Sequence, residues 1–171
     1  DVSVLEYFEG VVEVRASAGD TRLGGEDFSR VIAQLFAKQV DGLSAEDREA
    51  WLASETWWRL AEQAKRDLGE RDHAELRAVW RDRELSATLT RADFEAGAQE
   101  LLQRLRRPIE RALADAQLDP AGLAEVVLVG GATRMPMVRQ LVTRLFQRLP
   151  LRHLDPDLAI AMGAAVQAGL K

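Results

Sequence analysis

Apolar and polar positions alternate over the first stretch of the chain, then recur at helical spacing, and glycines mark most of the changes of period. Residues 2–8 read as a strand, Glu9-Gly10 as a turn and residues 11–18 as a second strand, so a hairpin opens the chain. Residues 19–25 read as a loop. Glu26 and Asp27 then open a helix, where acidic side chains suit the positive end of the helix dipole. Phe28, Val31, Ile32, Leu35 and Phe36 form its apolar stripe. Asp41-Gly42-Leu43 breaks that helix. Ser44, with Asp47 three residues on, caps the next, whose pattern runs to about Leu68. Its core face is Trp57, Ala61, Ala64 and Leu68. A neighbouring face carries Trp51, Glu55, Trp58, Glu62, Lys65 and Gly69.

Residues 73–80 and 83–89 alternate about an Arg81-Asp82 turn and predict a second, charged hairpin. Thr90 caps a long helix with Asp93 three residues later. Phe94, Ala98, Leu101, Leu105, Ile109, Ala112 and Ala116 hold its period across Pro108, which should kink or split it. Val126, Val127, Leu128 and Val129 then run straight into Gly130-Gly131. This predicts a buried strand ending in a tight turn. Thr133 is the expected N-cap of the following helix and Pro136 fits its first turn, with Met137, Val138, Leu141, Val142 and Leu145 on the apolar stripe. Leu154-Asp155-Pro156-Asp157 reads as a loop. Residues 158–169 read as a small-residue helix able to pack close against another backbone. The organisation is nested. An outer α/β unit of residues 1–24 and 104–171 is interrupted by a mostly helical insert of residues 25–103 that carries the second hairpin.

At 171 residues the chain can form one domain or two small lobes. A net charge of -5 argues against a nucleic-acid partner and against a basic membrane-binding surface. No apolar run approaches the length of a membrane span. With no cysteine there is neither a disulfide framework nor a thiolate metal site, which fits a cytoplasmic protein. The chain starts abruptly in the strand-like Asp1-Val2-Ser3, and we read it as a fragment whose upstream neighbour has been removed.

The common catalytic patterns are missing. His73 and His153 stand alone, without metal-ligand spacing. There is no Gly-x-Ser-x-Gly elbow, no phosphate-binding Gly-x-x-x-x-Gly-Lys loop and no Gly-x-Gly-x-x-Gly. Two Gly-Gly turns remain, together with a helix face holding Glu62, Lys65 and Gly69. Glycine has no Cβ, so a flat base or a phosphate can approach its backbone. A carboxylate accepts from ribose hydroxyls, an ammonium donates to ribose or phosphate, and the guanidiniums of Arg66 and Arg134 can stack on a purine. On spacing alone, a solvated salt bridge between Glu62 and Lys65 is the stronger reading.

The motifs settle that choice differently. Residues 19–28 (Gly-Asp-Thr-Arg-Leu-Gly-Gly-Glu-Asp-Phe), Glu62-Gln63-Ala64-Lys65, residues 128–138 (Leu-Val-Gly-Gly-Ala-Thr-Arg-Met-Pro-Met-Val), and Asp155-Pro156-Asp157 with Gly163-Ala164-Ala165-Val166-Gln167 follow one another in order. Together they resemble the successive signatures of the heat shock protein 70 family and span almost the whole chain. The detail leans towards its DnaK-type bacterial members. The short second hairpin and the Asp1-Val2-Ser3 start with Phe8-Glu9-Gly10 are similar to an HscC-like branch.

The resemblance implies an actin-like, ribonuclease-H-like ATPase fold of two lobes, of which this chain is similar to the second. The outer unit would be its α/β base and the insert its upper subdomain. It implies ATP or ADP as ligand, with Gly25 beside the nucleotide and Glu62 and Lys65 on the ribose. Arg66 and Arg134 would sandwich the adenine. Gly130 and Gly131, with Ala132 in the same turn, would lie on the α-phosphate side, and Asp157 would support the site from its loop. The family usually has serine where this chain has Gly69, and often serine or glutamine at Ala132. Gly69 thus removes a hydroxyl from the adenine while keeping room for the ring. Mg2+ and a monovalent cation belong to the full domain, and Asp1 matches a remnant of their sites. The implied partners are the first ATPase lobe, a peptide-binding domain, a J-domain co-chaperone and a nucleotide-exchange factor on residues 25–103. The catalytic lysine and phosphate loops would lie outside the chain, so no ATP hydrolysis is expected of it alone. A filament-forming relative of actin and a non-catalytic interaction module are the alternatives. The first would need filament-contact insertions, and the second leaves Glu62, Lys65 and Arg134 without a shared role.

Overall fold

The computed structural model of the chain describes residues 1–54, 56–151 and 155–169. Glu55, His153 and Leu154, each assigned a place above, lie outside those residues. The elements in chain order are β1 (Val2–Phe8), β2 (Val11–Ala18), α1 (Gly25–Gln39), α2 (Ala45–Ala53), α3 (Trp57–Glu70), β3 (His73–Trp80), β4 (Arg83–Thr90), α4 (Arg91–Gly97), α5 (Gln99–Asp115), α6 (Pro136–Phe146) and α7 (Ala159–Gly169). Short 3-10 turns lie at Pro120–Gly122 and Gly131–Arg134. The chain divides into two compact units, Asp1–Leu23 with Leu102–Lys171, and Gly24–Leu101.

In the 24–101 unit, α1 buries Phe28, Ile32, Ala33, Phe36 and Ala37, the stripe that helical spacing dictates. Phe28 meets Phe94 of α4 edge to face at 6.5 Å, and Phe36 packs on Trp51 of α2 at 5.5 Å. Trp51 and Trp80 in turn pack edge to face at 5.6 Å. β3 and β4 pair antiparallel from His73↔Thr90 to Trp80↔Arg83. Arg81 and Asp82 both take positive φ, 48° and 61°, which matches the twist of a tight hairpin turn. Ala74, Leu76, Leu85 and Leu89 line the buried face of this hairpin. Thr90 and Asp93 cap α4 reciprocally, each side chain bonding the other's backbone N–H.

Two expectations fail here. The helix begun at Ser44 does not reach Leu68. α2 stops at Ala53 and α3 starts afresh at Trp57. Ser54 takes extended backbone (ψ 157°), its hydroxyl donates to the Trp51 carbonyl at 2.7 Å, and the Trp57 indole donates to the Leu52 carbonyl at 3.2 Å. A serine that bonds nearby backbone offers the chain an alternative to the next helical turn. The break takes Trp51 off the α3 face and into the core, while Trp58 stays on the surface, 46% exposed. The split expected at Pro108 falls instead after Gly97, and α5 runs through the proline. A Cβ on Gly97 would stand 3.0 Å from Val31 Cγ1, so at the residue where α4 ends the helix lies close against α1. The Pro108 ring is buried in the same helix as Ile109, Ala112 and Leu113, and that burial offsets its missing N–H.

In the other unit, β1 and β2 pair antiparallel with a register shift between Val4 and Leu5. The core gathers Ile109 and Leu113 of α5, Val126 and Val142, with Val2, Leu123, Leu128, Leu145 and Phe146 packed against it. Among the described residues, 126–129 do not form the buried strand the sequence predicts. Val126 is buried, but Val127 and Val129 are 45% and 40% exposed. The Leu151 N–H donates to the Val126 carbonyl at 2.8 Å, yet no ladder runs along the segment among the described residues. A strand exists only by its neighbours' hydrogen bonds, and local propensity cannot supply them. α7 buries no residue, so the close backbone packing expected of its small side chains is absent among the described residues.

Candidate functional site

Two polar networks form, one in each unit. In the 24–101 unit α1 starts directly after Gly24, whose N–H donates to Asp27 Oδ2 at 2.7 Å. The first turn then presents the Gly25 carbonyl and Ser29, which is wholly buried. α3 packs alongside and delivers Glu62 and Lys65. The Lys65 ammonium donates to Gly25 O at 2.9 Å, Ser29 Oγ at 3.0 Å and Glu62 Oε2 at 2.6 Å. Its three donors meet three acceptors. The side chain is 10% exposed, so this is not the solvated surface pair that spacing favours.

Gly25 makes the arrangement possible, because a Cβ there would lie 3.2 Å from Lys65 Nζ. Ser29 Oγ also lies 3.0 Å from Glu62 Oε2. Glu62 Oε1 faces Arg66 Nε at 3.6 Å, and Arg66 is largely exposed. Burial pushes the Glu62 carboxyl up, but hydrogen bonds from Lys65 and Ser29 and the charges of Lys65 and Arg66 outweigh it. The carboxyl is held below its ordinary value. One turn on, Gly69 faces open space where a Cβ would stand.

In the other unit the extended segment ends at Gly130, whose φ of 90° and ψ of 150° suit only glycine. Its N–H donates to Pro156 O at 2.8 Å. The expected N-cap is corrected here. The Thr133 hydroxyl donates back to Gly130 O at 2.7 Å, closing the 3-10 turn, and Met135 stands at the N-cap of α6 with Pro136 in its first turn. Met135 is buried and anchors the turn, and Ala132 sits half-buried within it.

Arg134 reaches the 155–157 loop. Its Nε donates to Asp157 Oδ2 at 2.9 Å, and its Nη2 lies 2.7 Å from both Asp155 Oδ1 and Asp157 Oδ2. The Asp157 N–H donates to Asp155 Oδ1 at 3.0 Å. The bond to Asp157, then the charges of Asp157 and Asp155, raise Arg134 above its ordinary value and hold it firmly protonated. A Cβ on Gly131 would stand 3.1 Å from Asp157 Oδ1, so the bare backbone there makes room for the loop carboxylate.

A third contact fixes the loop that leads into α1. Arg104 Nε and Nη2 donate to Asp20 Oδ2 at 3.0 and 2.8 Å, and Nη2 also donates to Arg22 O at 2.8 Å. The Arg22 N–H, then Arg104, hold the Asp20 carboxyl below its ordinary value. Asp1 places its carboxylate against Gly19. Among the described residues no group of three or more His, Cys, Asp or Glu could hold a metal ion, and no helix is long and apolar enough to cross a membrane.

The structure thus joins Gly25, Glu62 and Lys65 in one network with Arg66 at its edge, and Gly130, Gly131, Arg134 and Asp157 in another. Sequence reasoning missed Ser29 and quoted Asp155 within a motif without giving it a role. Ser29 carried a usable signal, since it is a polar residue four positions after Gly25 and next to the apolar stripe. Asp155 carried only its place in the Asp155-Pro156-Asp157 motif.

The family model described as Hsp70 protein matches residues 1–171. The chain is 45% identical over 179 residues to Chaperone protein DnaK 1 of Synechococcus sp., covering 99% of this chain and 24% of that protein. It is 42% identical to Chaperone protein DnaK of Trichormus variabilis, covering 99% of this chain and 26% of the relative. It is 39% identical to Chaperone protein dnaK of Cyanidioschyzon merolae, covering 99% and 29%. The chain therefore spans about a quarter of the length of these relatives.

Proposed function

The chain belongs to the Hsp70 family, whose ATPase part has an actin-like fold, and on that premise we propose that it is the second lobe of such a domain. In this reading it supplies the adenosine-binding residues of a nucleotide cleft in an ATP-dependent chaperone. The 24–101 unit would be the upper subdomain, the site for an exchange factor, and the rest the α/β base. The longer protein would add the first lobe and a peptide-binding domain and would work with a J-domain co-chaperone.

The residues fit a nucleoside. Open space at Gly69 and Gly130 lets a flat ring or a phosphate come against the backbone. The observation that carries the reading is the part-buried Ser29–Glu62–Lys65 network. It fixes one carboxylate oxygen of Glu62 and, among the described residues, leaves Oε1 engaged by the exposed Arg66 alone at 3.6 Å. That oxygen is the acceptor for a ribose hydroxyl. Lys65, with its donors engaged, acts by holding Glu62 in place and not by direct donation. Arg66 and Arg134 offer guanidinium faces to the base. ATP with Mg2+ supplies a phosphoanhydride bond, and this chain's residues hold the adenosine end.

Titration calorimetry with ADP tests the reading. The chain is expected to bind ADP weakly, Glu62→Ala to abolish the heat, and the chain alone to release no phosphate from ATP. ADP binding indifferent to Glu62→Ala, or turnover by the isolated chain, would overturn it.

A further inference from the structure

We propose that Asp155 is a positioning residue of this site: with Asp157 it locks the Arg134 guanidinium by one edge, leaving a flat face that accepts a planar base and rejects a phosphate. The inference rests on the nucleotide reading above and adds to it the group that decides what Arg134 can bind.

The geometry is specific. An arginine has five N–H donors in one plane. Here the Nε–H donates to Asp157 Oδ2 at 2.9 Å, Nη2 lies 2.7 Å from that same oxygen as an ion pair, and Nη2 donates to Asp155 Oδ1 at 2.7 Å. The edge with which arginine grips phosphate in a two-pronged fashion is therefore taken. Two carboxylates against one guanidinium leave the cluster with net negative charge, which opposes a phosphate and not a neutral ring. The arginine cannot swing away cheaply, because the loop that holds it is stapled to the turn that carries it. Gly130 N–H donates to Pro156 O at 2.8 Å, and the Asp157 N–H to Asp155 Oδ1 at 3.0 Å. The Arg134 side chain is still 54% exposed, so its face is open.

Asp155 makes two of these bonds with a single oxygen, one to Arg134 and one to the Asp157 N–H. Removing it frees Nη2 and loosens Asp157 together. Asp155→Asn keeps the acceptor and the shape and removes only the charge.

The test uses this chain and three probes, ADP, adenosine and inorganic pyrophosphate, titrated by NMR. Rotation about the Arg134 guanidinium is read from its Nε–H signal, and the melting temperature of each variant serves as a folding control. In Asp155→Ala the Nε–H signal should broaden, adenosine and ADP should bind roughly tenfold more weakly, the scale of one charge-assisted hydrogen bond, and pyrophosphate should bind equally or better. Asp155→Asn should keep most of the adenosine affinity while pyrophosphate binding rises. If wild type binds adenosine and Asp155→Ala leaves the ratio of adenosine to pyrophosphate affinity unchanged, the positioning role is overturned and the nucleotide reading stands. A wild-type chain that binds neither ADP nor adenosine overturns both.

Discussion

Among the described residues each unit contains one antiparallel hairpin of nearly the same length, and the two are finished differently. β3–β4 buries Ala74, Leu76, Leu85 and Leu89 on one face and gives Glu75, Arg77, Ser86 and Thr88 to solvent on the other. β1–β2 fully buries Val4 alone and leaves Leu5, Tyr7, Phe8, Val11, Val12 and Val14 exposed. The cross-strand pairs Leu5↔Val14 and Tyr7↔Val12 put much of that apolar surface on one face. Clean alternation describes a strand that needs a cover on one side. Apolar residues at adjacent positions, such as Val11-Val12, describe a strand made to be covered on both. Exposed patches of this kind mark surfaces that other protein covers. The 24–101 unit therefore has a closed core of its own, whereas the hairpin of the other unit leaves its apolar face exposed.

That contrast can be broken by experiment. The largest effect is expected at Leu76, wholly buried in β3. Leu76→Ala should cost about 2–5 kcal/mol in urea denaturation, and Tyr7→Ala in β1 no more than about 0.5 kcal/mol. Equal losses would show that β1–β2 is covered in solution after all.

Next comes the part-buried ion pair. Lys65→Met should cost about 1–3 kcal/mol by leaving Glu62 short of its main partner, and should move the Glu62 titration upward by carboxyl NMR. An unmoved titration would mean that the pair is solvated.

Thr90→Ala removes the cap of α4 and should cost about 1 kcal/mol, with Thr90→Ser restoring it.

The smallest effect is on pH dependence. Glu62 and Asp20 both have lowered carboxyl values, so each binds more protons unfolded than folded. The stability they contribute is complete above the ordinary carboxylate range and is lost as pH falls through their folded values. Asp20→Asn should flatten that acid limb, and an unchanged slope would remove the Asp20–Arg104 contact from the account.

Much of this was legible because it is local. The hairpin turns at Glu9-Gly10 and Arg81-Asp82, the caps at Ser44 and Thr90, and the start of α1 depend on a few neighbouring residues, and each forms where the spacing places it. The break at Ser54 was not legible, because helical periodicity continues straight across it, while the Ser54 hydroxyl and the Trp57 indole bond carbonyls of the preceding helix and Trp51 turns into the core. The same holds for residues 126–129. Their composition asks for a strand, but pairing depends on what lies beside them.

The sequence by itself determined the family, the two hairpins with their turns and the placing of Glu62 and Lys65 on one helix face, since all of these follow from motif and period. Only the tertiary structure decided what those residues do to one another. α1 has to pack on α3 before Ser29 and the Gly25 carbonyl can saturate Lys65. The 155–157 loop has to return to Gly130 before two carboxylates can turn Arg134 edge-on. Charges far apart in the chain become one group only when folding brings them within hydrogen-bond distance, and no periodicity encodes that meeting.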